Sequence, residues 1–268
     1  MQEKNIDTLI KSENINLLML SLVDLTNDPP KIVDKIKPKN IPVIFVNKRP
    51  GRINEKVIES YTKACYIVTD SDQGGKLQGE IIADLWNKNK AVMDKNKDNI
   101  MQYIILRGDP KIIVTTYRTQ FSIMAIKDAG IKMQELASID ANWNEDTARE
   151  AVESLFMQYD GKIEAIISND DNMAVGAVKA LQNYGYNNGV DNTKVIPVFG
   201  IGLGRESDEF IKQGFITATI YIDPNDMADA LVHAGINLIN NKKCSDCTRY
   251  KCNYSGRVIE LPFKKYDY

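Results

Sequence analysis

The 268-residue chain is poor in histidine, with one, and in cysteine, with four. It has no apolar run approaching the roughly 20 residues that a membrane-spanning helix needs. Charge of one sign is also missing: 34 Lys and Arg face 36 Asp and Glu, and no basic run breaks the balance. That excludes nucleic acid as the main partner. No internal repeat or low-complexity stretch appears. No Ser or Cys elbow can be matched to the single histidine, His233, so no nucleophile–base set can be assembled and an enzyme is not expected. The opening residues 1–7 are polar and lack the charged, apolar and small-residue regions of a secretory signal. Taken alone, that start reads as cytoplasmic. A helix over 5–11 and a strand over 15–23 then follow Met1 with no opening strand before them.

What is present is regular. With 43% hydrophobic and 26% charged residues, the composition is that of a globular protein of one or two domains. Apolar strand-like runs at 17–23, 43–46, 66–68, 103–106, 163–168, 195–200 and 215–221 alternate with helical patterns at 74–87, 115–129, 146–159, 171–184, 205–213 and 225–240. This alternation predicts βαβ units and parallel sheets covered on both faces. Asp171 is placed to cap the helix that follows it, and Gly130 to end an earlier one. The polar segments 49–64 and 88–99 read as loops. The length suits two α/β lobes of about 100–150 residues.

Segment D-K-N-K-D-N-I-M-Q (94–102) sets oxygen-bearing side chains at positions 1, 3, 5 and 9, with a main-chain carbonyl at position 7. That is the ligand spacing of a calcium loop. Position 12, where a bidentate Glu would close the cage, is Ile105 inside a strand, so a remote carboxylate is required. Position 6 is Asn99, which tolerates the left-handed turn normally given to glycine.

Together with I-P-V-I-F-V-N-K-R-P (41–50), V-T-D-S (68–71), L-Q-G (77–79), R-G-D-P (107–110), K-I-E-A-I-I-S-N-D-D-N-M-A-V-G-A-V-K-A-L (162–181) and I-P-V-F-G (196–200), this loop resembles the glucose/galactose-binding proteins of bacterial sugar uptake and chemotaxis. These are type I periplasmic binding proteins, and the resemblance runs in order over nearly the whole chain. It implies two doubly wound lobes joined by three crossings, the first lobe from 1–69 plus 223–260 and the second from 70–222 plus 261–268. A ligand would lie at the C-terminal ends of the strands. It also implies a calcium set of Asp94, Asn96, Asp98, the carbonyl of Ile100, Gln102 and, as the missing remote carboxylate, Glu164.

For the ligand, the resemblance points to Asn47, Arg118 and Trp143 as amide, guanidinium and stacking ring, and to Asp170 where the family has Asn. Other positions depart from it. Ile112 and Val114 replace a His and an Asp, Gly202 replaces an Asp, and Ile222 replaces an Asn. A hexose against these groups leaves hydroxyls unpaired at about 1–3 kcal/mol each, so glucose and galactose are expected to bind weakly or not at all. A less hydroxylated or partly apolar ligand, or an altered cleft without ligand, is the corresponding expectation.

The implied partners are a small-molecule ligand and a membrane ABC transporter permease or a chemoreceptor, with the chain itself a monomer. The implied location is extracytoplasmic. The family begins with a strand and helix that this sequence does not contain, so Met1 reads as internal and the first lobe as incomplete at its start. The alternative is the effector-binding lobe pair of a sugar-responsive transcriptional regulator, which shares the fold. Cys244, Cys247 and Cys252 form C-x2-C-x4-C, with Cys65 far upstream; a zinc or redox role stands against a loop disulfide or free thiols.

Overall fold

A computed structural model describes residues 2–11, 15–22, 28–46, 60–159, 161–190 and 193–266. The chain divides into two units, Met1–Asp70 with Ile222–Pro262 and Ser71–Tyr221 with Phe263–Tyr268. Each break lies one or two residues from the position expected from sequence.

The first unit carries α1 (Gln2–Lys11), β1 (Leu18–Leu20), α2 (Asp28–Ile36), β2 (Val43–Val46) and β3 (Ala64–Thr69) from the N-terminal segment. Its second segment adds the helix Pro224–Ile239 and the strands Lys251–Cys252 and Val258–Leu261. These are numbered α9, β9 and β10 in chain order. The sheet order is β1-β2-β3-β10-β9, parallel except for β9 at one edge. Period-two alternation sorts the sheet's side chains onto two faces. Phe45 and Tyr66, rings 5.1 Å apart, face Ile32, Val33 and Ile36 of α2, while Ile44, Cys65, Ile67 and Ile259 face Ala230, Ala234 and Leu238 of α9.

On the α9 side Cys65 and Cys244 form a disulfide that joins chain positions 179 residues apart, both sulfurs buried. The loop disulfide considered from the Cys244–Cys247–Cys252 spacing is therefore replaced by a long-range one, and Cys247 and Cys252 are free thiols. Spacing along the chain carried no sign of Cys65, because the partners meet only where α9 packs on the face of the sheet that carries β3.

The second unit carries α3 (Ser71–Lys88), the single turn α4 (Lys90–Met93), β4 (Ile100–Arg107), α5 (Ile113–Asp128), β5 (Lys132–Asp140), α6 (Glu145–Tyr159), β6 (Ala165–Ser168), α7 (Asp171–Asn183), β7 (Val198–Phe199), α8 (Arg205–Lys212) and β8 (Ile220–Tyr221), with β11 (Lys264–Lys265) from the C-terminal end. Its parallel sheet runs β5-β4-β6-β7, and β8 pairs with β11 antiparallel. Ile104, Leu106 and Ile166 pack under α6 and α7; Met101, Ile105 and Ile167 pack under α3 and α5. A doubly wound sheet results, as expected from the alternation.

Strand β5 was not legible because it lies at the edge of the sheet. Its residues alternate between half-buried and exposed, so no apolar run marks it. The strand expected over 215–221 is cut to Ile220–Tyr221, with Ala218 making only a single bridge to Phe199. Helix α2 was also missed; its Asp-Pro-Pro start looks like a break but sits in the first turn, where the missing proline N–H costs nothing. Helices α3 and α5 approach backbone to backbone. A Cβ on Gly79 would lie 2.3 Å from the Ser122 carbonyl oxygen, so glycine alone fits, and this contact sets the position of the helix that carries Arg118.

Candidate functional site

Four strand ends of the second unit place polar groups at one edge, the C-terminal edge where open parallel sheets bind ligands. After β4 comes Gly108, after β5 Trp143, after β6 Asn169 and Asp170, and after β7 Gly200. Arg118 reaches them from the first turns of α5. Its Nη1 donates to the Asn169 carbonyl oxygen at 2.7 Å, and its guanidinium lies 5.8 Å from the Trp143 ring centre and 5.5 Å from that of Phe263. Burial holds the Arg118 pKa down to about 10, opposed by the charges of Asp170 and Asp171, so the group is a cation at neutral pH. Its Nε–H is buried with no acceptor. A buried donor left this way costs about 1–3 kcal/mol, which an arriving oxygen would recover.

Trp143 stands on Gly108. A Cβ there would come within 2.0 Å of the indole, so the ring covers the end of β4 only because residue 108 is glycine. Trp143 and its neighbour Asn142 both have left-handed backbone, φ 63° and 55°. This turns the chain sharply after Ala141 and presents the ring at the strand end.

The cap assignment made from sequence is corrected here. Asp170, in extended backbone, caps α7 by accepting from the Met173 N–H at 2.9 Å. Burial raises the Asp170 pKa, which the Met173 N–H and Arg118 counter. Asp171 is instead the first residue inside the helix and is buried. It accepts from Thr219 Oγ1 at 2.7 Å, and burial pushes its pKa up to about 7. A Cβ on Gly200 would strike its Oδ1 at 1.9 Å, so the glycines after β7 make room for this carboxyl. Adjacent Asp residues gave no sequence cue to which one caps; the backbone decides it.

Ile112 and Val114 are both partly buried and sit at the start of α5, which has no side-chain cap; Gly202 packs 3.6 Å from the Asp171 carboxyl by its virtual Cβ. Asn47 lies outside the described residues. Phe263, Asn169 and Gln78 were not singled out from sequence. Gln78 Nε2 donates to the carbonyls of Ser168 at 2.8 Å and Gly200 at 3.1 Å, pinning the ends of β6 and β7 together. For Phe263 the chain offers no local signal, since it returns from the far end of the sequence.

The loop 94–102 is a second polar assembly in the same unit. Lys97 and Asn99 take left-handed backbone, φ 62° and 66°, as position 6 of such a loop requires. Asp94 Oδ2 accepts from the Asn99 N–H at 3.1 Å, Asn96 Oδ1 from the Asp98 N–H at 2.9 Å, and Asp98 Oδ1 from the Ile100 N–H at 2.8 Å. Gln102 Nε2 donates to Asp98 Oδ2 at 2.7 Å. Glu164 is nearly fully buried beneath the loop, accepting from the Lys95 N–H at 2.6 Å and the Gln102 N–H at 3.1 Å. Burial raises its pKa, against three main-chain donors that lower it.

Two oxygens, Asp94 Oδ1 and Gln102 Oε1, are buried with no donor. An all-oxygen set with two unfilled acceptors fits a hard cation such as calcium. Cys244 is taken up by the disulfide with Cys65, which removes it from any zinc set with Cys247 and Cys252.

The second unit of this two-unit α/β fold thus presents an arginine between aromatic faces at its strand ends. The sequence profile described as periplasmic binding protein domain matches residues 1–243, and the chain belongs to that family. Among curated relatives, it is 33% identical over 267 residues to the D-galactose/methyl-galactoside binding periplasmic protein MglB of Haemophilus influenzae, covering 99% of this chain and 76% of that protein. It is 25% identical over 240 residues to the D-apiose import binding protein of Actinobacillus succinogenes, covering 87% of this chain and 69% of the other. Among solved structures, a periplasmic solute-binding protein of an ABC transporter from Actinobacillus succinogenes with bound D-allose superimposes with a TM-score of 0.77 at 20% identity, over 98% of this chain and 80% of the other. These are binding proteins, not enzymes. No helix among the described residues is long and apolar enough to cross a membrane.

Proposed function

We propose that the chain is an extracytoplasmic binding protein for a small carbohydrate, delivered to an ABC transporter or read by a chemoreceptor. The observation that carries this reading is Arg118: a half-buried cation framed by the Trp143 and Phe263 rings, with an Nε–H that has no acceptor. An aromatic face packs against the apolar C–H face of a sugar, and the guanidinium takes its oxygens. Asp170 accepts a hydroxyl hydrogen beside it.

The preferred ligand is poorer in hydroxyls than galactose. Ile112, Val114 and Gly202 offer no group to pair with them, and an unpaired buried hydroxyl costs about 1–3 kcal/mol. A deoxy sugar or a branched pentose fits this balance.

Calcium belongs to the same reading. Asp94, Asn96, Asp98 and Gln102 would hold it by side-chain oxygens, Ile100 by its carbonyl and Glu164 by its carboxylate, the unfilled Asp94 Oδ1 and Gln102 Oε1 supporting the assignment. The ion supplies cross-linking charge and no chemistry, and these residues tie the loop before β4 to the approach to β6.

A thermal-shift screen with D-fucose, D-apiose, D-allose, myo-inositol, D-galactose and D-glucose tests the proposal. D-Fucose or D-apiose is expected to raise the melting temperature and D-galactose and D-glucose to leave it in place. Failure of all six would reject the carbohydrate reading.

A further inference from the structure

We infer that Asn169 is the positioning residue that holds both Arg118 and the seat of Trp143 in place, an inference that rests on those two side chains being the ligand-binding groups. Asn169 follows β6 directly and is fully buried, so it belongs to the support of the site and not to its surface. Its main-chain carbonyl accepts from Arg118 Nη1 at 2.7 Å. Its side-chain Oδ1 accepts from the Gly108 N–H at 3.3 Å and from Thr119 Oγ1 at 3.2 Å. Its own N–H donates to the Leu106 carbonyl at 2.8 Å, which locks it to the end of β4.

One residue thus joins three elements. Gly108 is the surface on which the Trp143 indole lies, Thr119 is the residue next to Arg118 on α5, and the carbonyl fixes the guanidinium itself. The Gly108 N–H, which can only donate, sets the amide's orientation, because the reversed amide would aim Nδ2 at it. In that orientation Nδ2 has no acceptor. The acceptor end of the side chain therefore positions Gly108 and Thr119, and the carbonyl positions Arg118. Side-chain networks of this kind place binding groups to within the tolerance that recognition requires.

The test uses the full chain and two variants. The chain has two tryptophans, Trp86 buried in the core under α3 and Trp143 at the strand ends, so an amide-correlation NMR spectrum shows two indole N–H peaks. Asn169→Ala is expected to displace the Trp143 peak and leave the Trp86 peak in place, and to weaken binding of whichever sugar of the six-member panel the unmodified protein holds best by about tenfold or more. Asn169→Asp keeps the acceptor and is expected to return the Trp143 peak toward its original position and affinity to within about threefold. A merely structural role would move both peaks together and would not be rescued.

An unmoved Trp143 peak in a folded Asn169→Ala protein overturns the inference. So does a folded Asn169→Asp protein with a displaced peak and lost affinity, even where the Ala variant does not fold. A displaced Trp143 peak with unchanged affinity supports the positioning by Asn169 and rejects Trp143 as a ligand-binding group.

Discussion

The two units solve the same packing problem by different means. The first is assembled from two distant chain segments and fastens them covalently, with the Cys65–Cys244 disulfide under α9. The second is almost continuous in sequence and has no disulfide among its described residues; it relies on helices brought to backbone contact at Gly79 and on buried polar groups at its strand ends. The candidate ligand and cation groups on the described residues concentrate in this second unit. Arg118 Nε, Asp94 Oδ1 and Gln102 Oε1 are among the buried polar atoms left without a partner, and the proposed solute and ion would fill them.

The largest effect expected on this contrast comes from the staple. Cys65→Ser should cost about 2–5 kcal/mol, read by urea denaturation under oxidising conditions. Because both tryptophans lie in the second unit, the far-UV signal should show the loss before tryptophan emission does; simultaneous loss in both signals would break the contrast. Chelation should act on the other unit. Removing calcium with EDTA should lower the melting transition seen by tryptophan, by about 2.7 kcal/mol if calcium had been present at a hundred times its dissociation constant. An unchanged transition would remove the cation from the account.

Gly79→Ala places a methyl against the Ser122 carbonyl and should destabilise the second unit by about 1–3 kcal/mol, measured by the same tryptophan-detected denaturation. The last effect is electrostatic and is spread over the pH scale. Asp171 has an ordinary carboxyl value of 3.8 raised to about 7 by burial, so ionisation is harder in the folded state. Below 3.8 both states are protonated and there is no penalty. As pH rises from there through about 7 the unfolded state ionises first, and stability should fall by up to about 1.4 kcal/mol per pH unit and then level. Asp171→Asn should flatten that slope; an identical slope in the variant would show that Asp171 titrates normally.

Strands buried on both faces, such as β4 and β6, were plain in the sequence because parallel-sheet cores demand continuous apolar runs. Edge elements were not: β5 shows an alternating, half-exposed face, and β9 hides in a polar, cysteine-rich segment; the interior strand β10 was missed as well, its short run broken by Glu260. The oxygen spacing of 94–102 was legible, since a loop that turns on itself must write its ligands locally. Glu164 and Trp143 came only through family resemblance, because their partners lie across the sheet. Asn169 was readable as part of S-N-D-D at a strand end, but nothing local distinguishes the buried support from the capping Asp170 or the buried Asp171.

The most direct measurement is isothermal titration of the purified chain and of its Arg118→Met variant with D-fucose, D-apiose and D-galactose. The account predicts a micromolar dissociation constant for D-fucose or D-apiose that is lost in the variant, and no comparable binding of D-galactose by either protein. Micromolar D-galactose binding, or a binding constant untouched by Arg118→Met, would contradict it.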